Sequence, residues 1–143
     1  MPEYLMSIKP KYAKLILKGE KKYELRKKVP YMPPKTRIVM YVSGRTKAIV
    51  GEFRVGKVLY LPKNELWKLV KDDGGITKEE FLTYFQGYRY GYAIEIKDPK
   101  EYKNKILLKD IRELIGGFQP PINFMRITKS LKLLLKTYLE ENG

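Results

Sequence analysis

The chain has 143 residues without cysteine or histidine, which excludes disulfides, thiolate nucleophiles, Cys/His zinc sites and a histidine general base. Apolar residues make up 43% of it, enough for a buried core, and no apolar run reaches the roughly 18 residues of a membrane span, so we expect a cytoplasmic protein with no membrane partner. The formal net charge is +14, and residues 1–50 carry thirteen basic against three acidic side chains, a distribution that indicates a polyanionic partner such as RNA or a nucleotide.

The first half of the chain predicts four strands and one short helix. Apolar runs or alternating apolar residues mark the strands, and glycines inside the last of them are typical of a bent strand in a barrel. Pro10 suits the first turn of a helix over residues 11–18, which Gly19 ends. The strands are expected at residues 4–8, 21–27, 36–43 and 47–61.

The second half of the chain predicts more helix. Thr77 and Glu80 have the spacing of a capping box at a helix start, and apolar residues recur at helical spacing in the terminal segment. Helices that are grouped in this way favour an α+β fold with a mostly antiparallel sheet that closes on itself. We expect helices at 62–71, 77–87, 110–114 and 128–141, strands at 88–97 and 104–109, and a Gly/Pro loop at 115–124.

One glutamate stands among cations in the stretch LKGEKKYELRKK, residues 17–28. Alternation along this stretch places Glu24 and Arg26 on the same face of a strand. One interpretation is a ladder of surface ion pairs, which contributes little to stability. The other is a binding cleft in which Glu24 accepts a hydrogen bond from a base or a ribose while Lys21 and Arg26 hold phosphate. In that cleft Glu24 selects among the ligands that the cations attract.

Gly19, Lys21, Glu24 and Arg26 match the pattern G-x-K-x-x-E-x-R, which resembles the signature of the ASCH domain, a member of the PUA-like group of small β-barrels. The later stretches KAIVGEFRVGKV, GYAIEI and GGFQPPINFMRI resemble further segments of that family in the right order. The resemblance implies a barrel of mixed, mostly antiparallel strands with helices packed at its side and rim, and a cleft that binds RNA. We expect a single ASCH/PUA-like domain over residues 1–143, with a core at 4–127 and the C-terminal helix at 128–141.

The resemblance does not extend to one enzymatic branch of the fold, which removes the acetyl group from 4-acetylcytidine. That branch uses a lysine at the position resembling Lys21, a threonine nucleophile at the position resembling Glu24, and a further glutamate. Here the threonine is replaced by Glu24, and the region around Gly74 reads DDGGIT without a glutamate. We therefore expect little or no deacetylation of 4-acetylcytidine.

Six more residues are candidates for RNA or ligand binding. By resemblance the turn after the third strand is a rim of the cleft and the loop before the last helix is a wall of it. Each candidate has a plainer alternative: a solvated helix face, an ordinary turn, a structural ion pair or a hydrophobic plug. Four tyrosines are either stacking platforms for bases or half-buried packing in strands: Tyr41, Tyr88, Tyr90 and Tyr92. The six candidates are Lys9, Ser43, Arg45, Lys47, Glu52 and Phe118.

The function that we expect is a module that binds RNA or a nucleotide in a basic cleft with one selecting glutamate, in RNA metabolism or translation-linked regulation. The alternative is an enzyme on RNA or a modified nucleoside, of the amidohydrolase or ribonuclease type, with Lys21 and Glu24 as its base and acid. A third interpretation is an adaptor that meets a protein partner through the C-terminal helix. We expect no cofactor and no metal site.

Overall fold

Residues 2–142 are described by the structure, a computed structural model, and they form six strands and five helices. The strands are β1 (Tyr4–Ile8), β2 (Tyr23–Arg26), β3 (Arg37–Val42), β4 (Ala48–Pro62), β5 (Tyr90–Leu107) and β6 (Phe124–Arg126). The helices are α1 (Pro10–Leu17), α2 (Lys63–Val70), α3 (Lys78–Tyr84), α4 (Leu108–Leu114) and α5 (Lys129–Asn142). The α+β class expected from the sequence is confirmed.

The strands make one mixed sheet in the order β2-β5-β4-β3-β1-β6. Only β1 and β3 run parallel among the described strands, and the other neighbours are antiparallel, as expected. The long strands β4 and β5 change register at three places, which bends the sheet. Gly51 lies at one of these places, where a Cβ would collide with the backbone carbonyl of Lys100.

Strand β5 corrects the expectation of two separate strands at 88–97 and 104–109. Asp98 has a φ of +48°, and the pair Arg54–Lys97 is followed by Glu52–Lys100, so β5 carries one residue more than β4 here. Pro99 lies in this bulge, where its missing N–H costs no ladder hydrogen bond. The bulge bends one continuous strand instead of ending it.

Strand β6 and the end of β2 also differ from expectation. The segment at 115–124 was expected to be a loop, but its last residue starts the three-residue β6, which pairs with β1. The strand expected at 21–27 is shorter, and Lys21 precedes it. Both differences are set by pairing with strands far away in sequence, which local composition does not report.

The edges of the curled sheet meet through side chains among the described residues. Arg26 on edge strand β2 donates from Nη1 to Asn123 Oδ1 at 2.7 Å and from Nη2 to the Ser7 carbonyl at 2.9 Å. Asn123 in turn donates from Nδ2 to the carbonyl of Lys28 at 3.0 Å. We call this contact between Arg26, Ser7 and Asn123 the seam. The sheet curls into a half-barrel, and the hydrogen bonds of the seam join its two edges.

Both faces of the sheet are covered. Helix α1 packs on one face through Ile16, and α4 and α5 pack on the other, where Leu131, Leu134 and Leu135 are buried. Helices α2 and α3 cover the β2–β5 edge. The apolar stripe of α5 thus packs on the sheet. Within residues 2–142, the structure contains no helix with the length and apolar character that a membrane crossing requires.

Candidate nucleic-acid interface

A cavity of about 1000 Å³ lies between α1, the start of β2, α3 and the loop before β6. Pockets that hold small molecules measure about 300–1,000 Å³, so the cavity has room for a nucleotide. Its lining is mixed in charge, with five basic and three acidic side chains. These are Lys9, Lys21, Arg26, Lys47 and Arg112, and Glu24, Glu79 and Glu80.

The turn after α1 brings Lys21 into the cavity. Gly19 has a φ of +76°, a left-handed conformation that glycine adopts without a Cβ penalty. The chain then folds back, and the backbone N–H groups of Glu20 and Lys21 both donate to the Leu15 carbonyl, at 2.9 and 3.1 Å. As a result, the Lys21 side chain lies beneath α1 and is only 2% exposed.

Lys21 is a buried ammonium with three neighbours. Its Nζ donates to the Gly74 carbonyl, lies 3.6 Å from Glu24 Oε1, and is 5.0 Å from the centre of the Tyr12 ring. Burial lowers the pKa of Lys21, and the negative charge of Glu24 opposes that shift. Since a lysine ammonium has three N–H donors, Lys21 retains the capacity to donate to a ligand in the cavity.

Glu24 lies between two cations. The alternation of β2 places Leu25 in a hydrophobic core and points Glu24 and Arg26 to the opposite face. Glu24 Oε2 accepts from Arg26 Nε at 3.0 Å and from Nη2 at 2.7 Å, while Oε1 faces Lys21. Glu24 is 5% exposed, so the interpretation of a surface ladder is wrong. Arg26 is committed to Glu24 and the seam, and Oε1 is the carboxylate oxygen with room for a ligand donor.

Three of the six further candidates line the cavity, and one lies outside it at the surface. Lys9, Ser43 and Lys47 come together because the Ser43 N–H donates to the Ile8 carbonyl at 3.1 Å. Arg45 is exposed and is not part of the lining. The turn after β3 therefore contributes one side of the cavity rim, without Arg45.

Glu52 and Phe118 lie outside the cavity, where their plainer alternatives describe them better. Glu52 Oε1 accepts from Arg37 Nη2 at 3.0 Å and from the Tyr102 hydroxyl at 2.8 Å, so it forms a structural ion pair. Phe118 is buried in the core beneath α4 and α5. The loop after Phe118 does reach the cavity, where Ile122 is fully exposed at the rim.

The acidic side of the cavity was not expected from the sequence. Glu80, noted only for its capping box, accepts from Lys11 Nζ at 2.7 Å and from the Tyr12 hydroxyl at 3.2 Å. The hydrogen bond from Lys11 contributes most to lowering the pKa of Glu80 to about 2. Burial, aided by Glu80, raises the pKa of Tyr12 to about 12. These contacts join α3 to α1 across the cavity, and no local pattern in the sequence signals them.

The opposite side of the rim is basic. The Leu108 N–H donates to the Lys47 carbonyl at 2.9 Å, which places the start of α4 beside the turn that carries Lys47. Arg112, one turn further along α4, lines the same side as Lys47 and Lys9. The cavity therefore has a basic side at α4 and an acidic side at α3. Among residues 2–142, no group of acidic side chains comes together in a way that holds a metal ion.

Lys21 is expected to lose its proton at a lower pH than a lysine in an unfolded peptide. Burial lowers the pKa of Lys21 in the folded chain, so the unfolded chain binds more protons between the two pKa values. The contribution of Lys21 to the free energy of unfolding therefore rises with pH across that interval. An NMR titration of ¹³C-labelled lysine, with Lys21→Met to assign the signal, measures it. Titration of that signal at the pH of an unfolded peptide would contradict the expectation.

A curled half-barrel with a polar cavity beside its first helix places the protein in the PUA-like class of domains. The ASCH domain family profile matches residues 6–114, and the chain belongs to the ASCH domain family. The resemblance seen in the sequence is thereby confirmed.

Several proteins of known structure or name are similar to this chain over most of its length. The chain is 26% identical over 137 residues to the ASCH domain-containing ribonuclease of Zymomonas mobilis. The aligned residues cover 94% of this chain and 92% of that protein. The crystal structure of ASCH from Zymomonas mobilis matches with a TM-score of 0.88 at 24% identity, over 94% of each chain. Human THYN1, crystallised with DNA containing 5-methylcytosine, matches with a TM-score of 0.61 at 12% identity over 100% of both chains. At these identities the two structures show a common fold.

Proposed function

We propose that the protein binds single-stranded or looped RNA and holds one nucleotide in the cavity over Lys21 and Glu24. The observation that carries the proposal is the buried carboxylate of Glu24, with Oε2 bound to Arg26 and Oε1 turned toward Lys21. A desolvated carboxylate costs free energy unless donors satisfy it. A ligand that brings a hydrogen-bond donor to Oε1 therefore binds more tightly than a ligand without one.

The two sides of the cavity give the nucleotide an orientation. Lys9, Lys47 and Arg112 form the basic side, so we assign the phosphate to them. The base or ribose edge then lies over Lys21 and Glu24, which supply a donor and an acceptor. Recognition of an unpaired nucleotide by the edge of its base is the usual way in which proteins read RNA loops.

The relatives support a nucleic-acid ligand. The Zymomonas protein is named a ribonuclease, and the structure of THYN1 contains DNA. The net charge of +14 is positive and therefore favours binding of a polyanion. We do not propose a protein partner through α5, because its apolar stripe is packed on the sheet.

Two substitutions that each remove one positive charge, one inside the cavity and one outside it, test this proposal. We expect Lys21→Met to weaken binding of a short unstructured RNA by about tenfold or more, because hydrogen bonds from a charged group are lost. Arg45→Met removes the same charge outside the cavity and should cost less than about twofold at physiological salt. Fluorescence anisotropy at rising salt concentration measures both. Equal losses in the two variants would show that bulk charge, and not the cavity, binds the RNA.

Ribonuclease activity is a second candidate, favoured by the name of the Zymomonas relative and by the lowered pKa of Lys21 beside Glu24. Strand cleavage by transesterification needs a base for the 2′-hydroxyl proton and an acid for the leaving 5′-oxygen. We assign the base to Glu24 and the acid to Lys21, the reverse of the roles expected from the sequence, because the Lys21 ammonium has protons to donate. Gel electrophoresis of the RNA after the binding titration decides between the candidates: cleavage by the parent protein but not by Lys21→Met favours the enzyme, and intact RNA favours the binding module.

A further inference from the structure

Three tyrosine rings are stacked on the surface of the sheet, apart from the cavity lining. Tyr60 on β4 lies 5.1 Å from Tyr90 and 4.5 Å from Tyr92 on β5, measured between ring centres, with interplanar angles of 22° and 36°. Tyr60 is 57% exposed and Tyr90 is 44% exposed. We call these three residues the tyrosine stack. Aromatic rings that are grouped and left in solvent mark an interaction surface more often than scattered ones do.

The strand register connects the tyrosine stack to the cavity. Arg26 on β2 is paired with Tyr92 on β5, and Tyr92 is paired with Tyr60 on β4. Side chains of directly paired residues project from the same face of a sheet. Neighbouring strands are about 4.8 Å apart, so the stack begins one strand away from Arg26, which holds Glu24 in the cavity. That spacing is within reach of the nucleotides next to one held in the cavity.

The surroundings of the tyrosine stack are basic. Lys57 and Lys63 lie three residues on either side of Tyr60, Arg89 precedes Tyr90, and the Lys63 N–H donates to the Arg89 carbonyl at 2.9 Å, while Glu95 lies three residues after Tyr92. Such a surface attracts a phosphate backbone and repels a basic protein, including a second copy of this chain. Exposed aromatic rings within a cationic surface match single-stranded nucleic acid, whose bases stack on the rings while the cations follow the phosphates.

We propose that the tyrosine stack is a second nucleic-acid subsite, on which unpaired bases adjacent to the nucleotide in the cavity stack. This inference rests on the proposed binding of RNA. The Tyr60 ring packs against both Tyr90 and Tyr92, and the exposed rings of Tyr60 and Tyr90 are available to a base. The cavity selects one nucleotide, and the stack lengthens the bound segment without selecting its sequence, because every base has a π-face.

The test compares two ligands, adenosine 5′-monophosphate and an unstructured RNA of about ten nucleotides. The double variant Tyr60→Ala/Tyr90→Ala should bind the RNA about tenfold more weakly and the mononucleotide as tightly as the parent protein does. The variant Tyr60→Phe/Tyr90→Phe keeps the rings and should bind both ligands as the parent does. Tyr31→Ala removes a tyrosine that is 81% exposed and outside the stack, and serves as the matched control.

The outcomes separate the subsite from the cavity. If the alanine variant binds the RNA as tightly as the parent protein, or if the phenylalanine variant loses as much as the alanine variant, the subsite is overturned. A dimeric parent that the alanine substitutions make monomeric would also overturn it, since a second copy would then occupy the rings. If Lys21→Met affects neither ligand while the alanine variant loses RNA, the stack binds RNA and the proposed function of the cavity fails.

Discussion

Replacing Glu24 with glutamine is expected to lower the free energy of unfolding by about 3–5 kcal/mol, the usual cost of removing one partner from a buried ion pair. Glutamine has nearly the same shape, but it leaves the Lys21 ammonium and the Arg26 guanidinium without their counter-charge. Urea denaturation measures the change. Glu20→Gln makes the same substitution at an exposed glutamate four residues earlier and should change stability by less than about 0.5 kcal/mol. A loss below about 1 kcal/mol at Glu24 would mean that this carboxylate behaves as a surface group.

The same substitution tests selection of the ligand. In Glu24→Gln an NH₂ donor replaces one carboxylate oxygen, so a ligand N–H or O–H loses its acceptor. We expect about a tenfold weaker affinity for RNA, in line with a lost hydrogen bond to a charged group. Heparin, a polyanion that needs no acceptor, should bind as well or better because one negative charge is gone. Parallel changes for the two ligands, measured below the unfolding transition, would contradict a selecting role.

Replacing Arg26 with lysine is expected to cost about 3 kcal/mol of unfolding free energy, although the charge is kept. The guanidinium binds Glu24, Ser7 and Asn123 at once through its planar array of donors. A lysine ammonium does not reach all three in that geometry, so the seam opens and the Glu24 carboxylate loses part of its satisfaction. Urea denaturation gives the cost, and amide hydrogen exchange at β6 and at Ser7 reports on the seam.

Arg45→Lys is the matched control, because Arg45 is exposed and outside the cavity lining. It should leave both stability and exchange unchanged. If Arg26→Lys gave the same result as this control, the half-barrel would not depend on the seam, and Glu24 would be held by its other neighbours.

Local patterns predicted most of the fold. Period-two alternation placed Leu25 and Glu24 on opposite faces of β2 correctly, and the spacing from Thr77 to Glu80 predicted the start of α3. The prediction was wrong at Asp98 and Pro99, because these two residues by themselves indicate the end of a strand. Pairing with β4 instead absorbs the proline in a bulge. Local composition reports what a segment favours alone, and it does not report what a long neighbouring strand imposes.

The candidate site was predicted in its residues but not in its environment. The resemblance to the ASCH signature marked Lys21, Glu24 and Arg26 as a group. Their burial depends on distant segments: the carbonyl that accepts from Lys21 belongs to Gly74, 53 residues away, and Asn123 lies 97 residues from Arg26. Lysine is rarely buried, so the burial of Lys21 was not predicted, although its place in a cleft was. The tyrosine stack also depends on pairing, since Tyr60 and Tyr92 become neighbours through the register of β4 and β5.

The claim that the cavity holds a nucleotide is tested most directly by a crystal of the protein soaked with a nucleoside 5′-monophosphate. We expect a donor of the base or ribose within hydrogen-bond distance of Glu24 Oε1, and the phosphate on the basic side with Lys9, Lys47 and Arg112. When the nucleotide contacts Lys21 Nζ, Arg26 should keep the hydrogen bonds that it makes to Ser7 and Asn123 in the seam. A nucleotide bound at the tyrosine stack or elsewhere on the surface, with the cavity free of it at saturating concentration, would show that the cavity is not the nucleotide site.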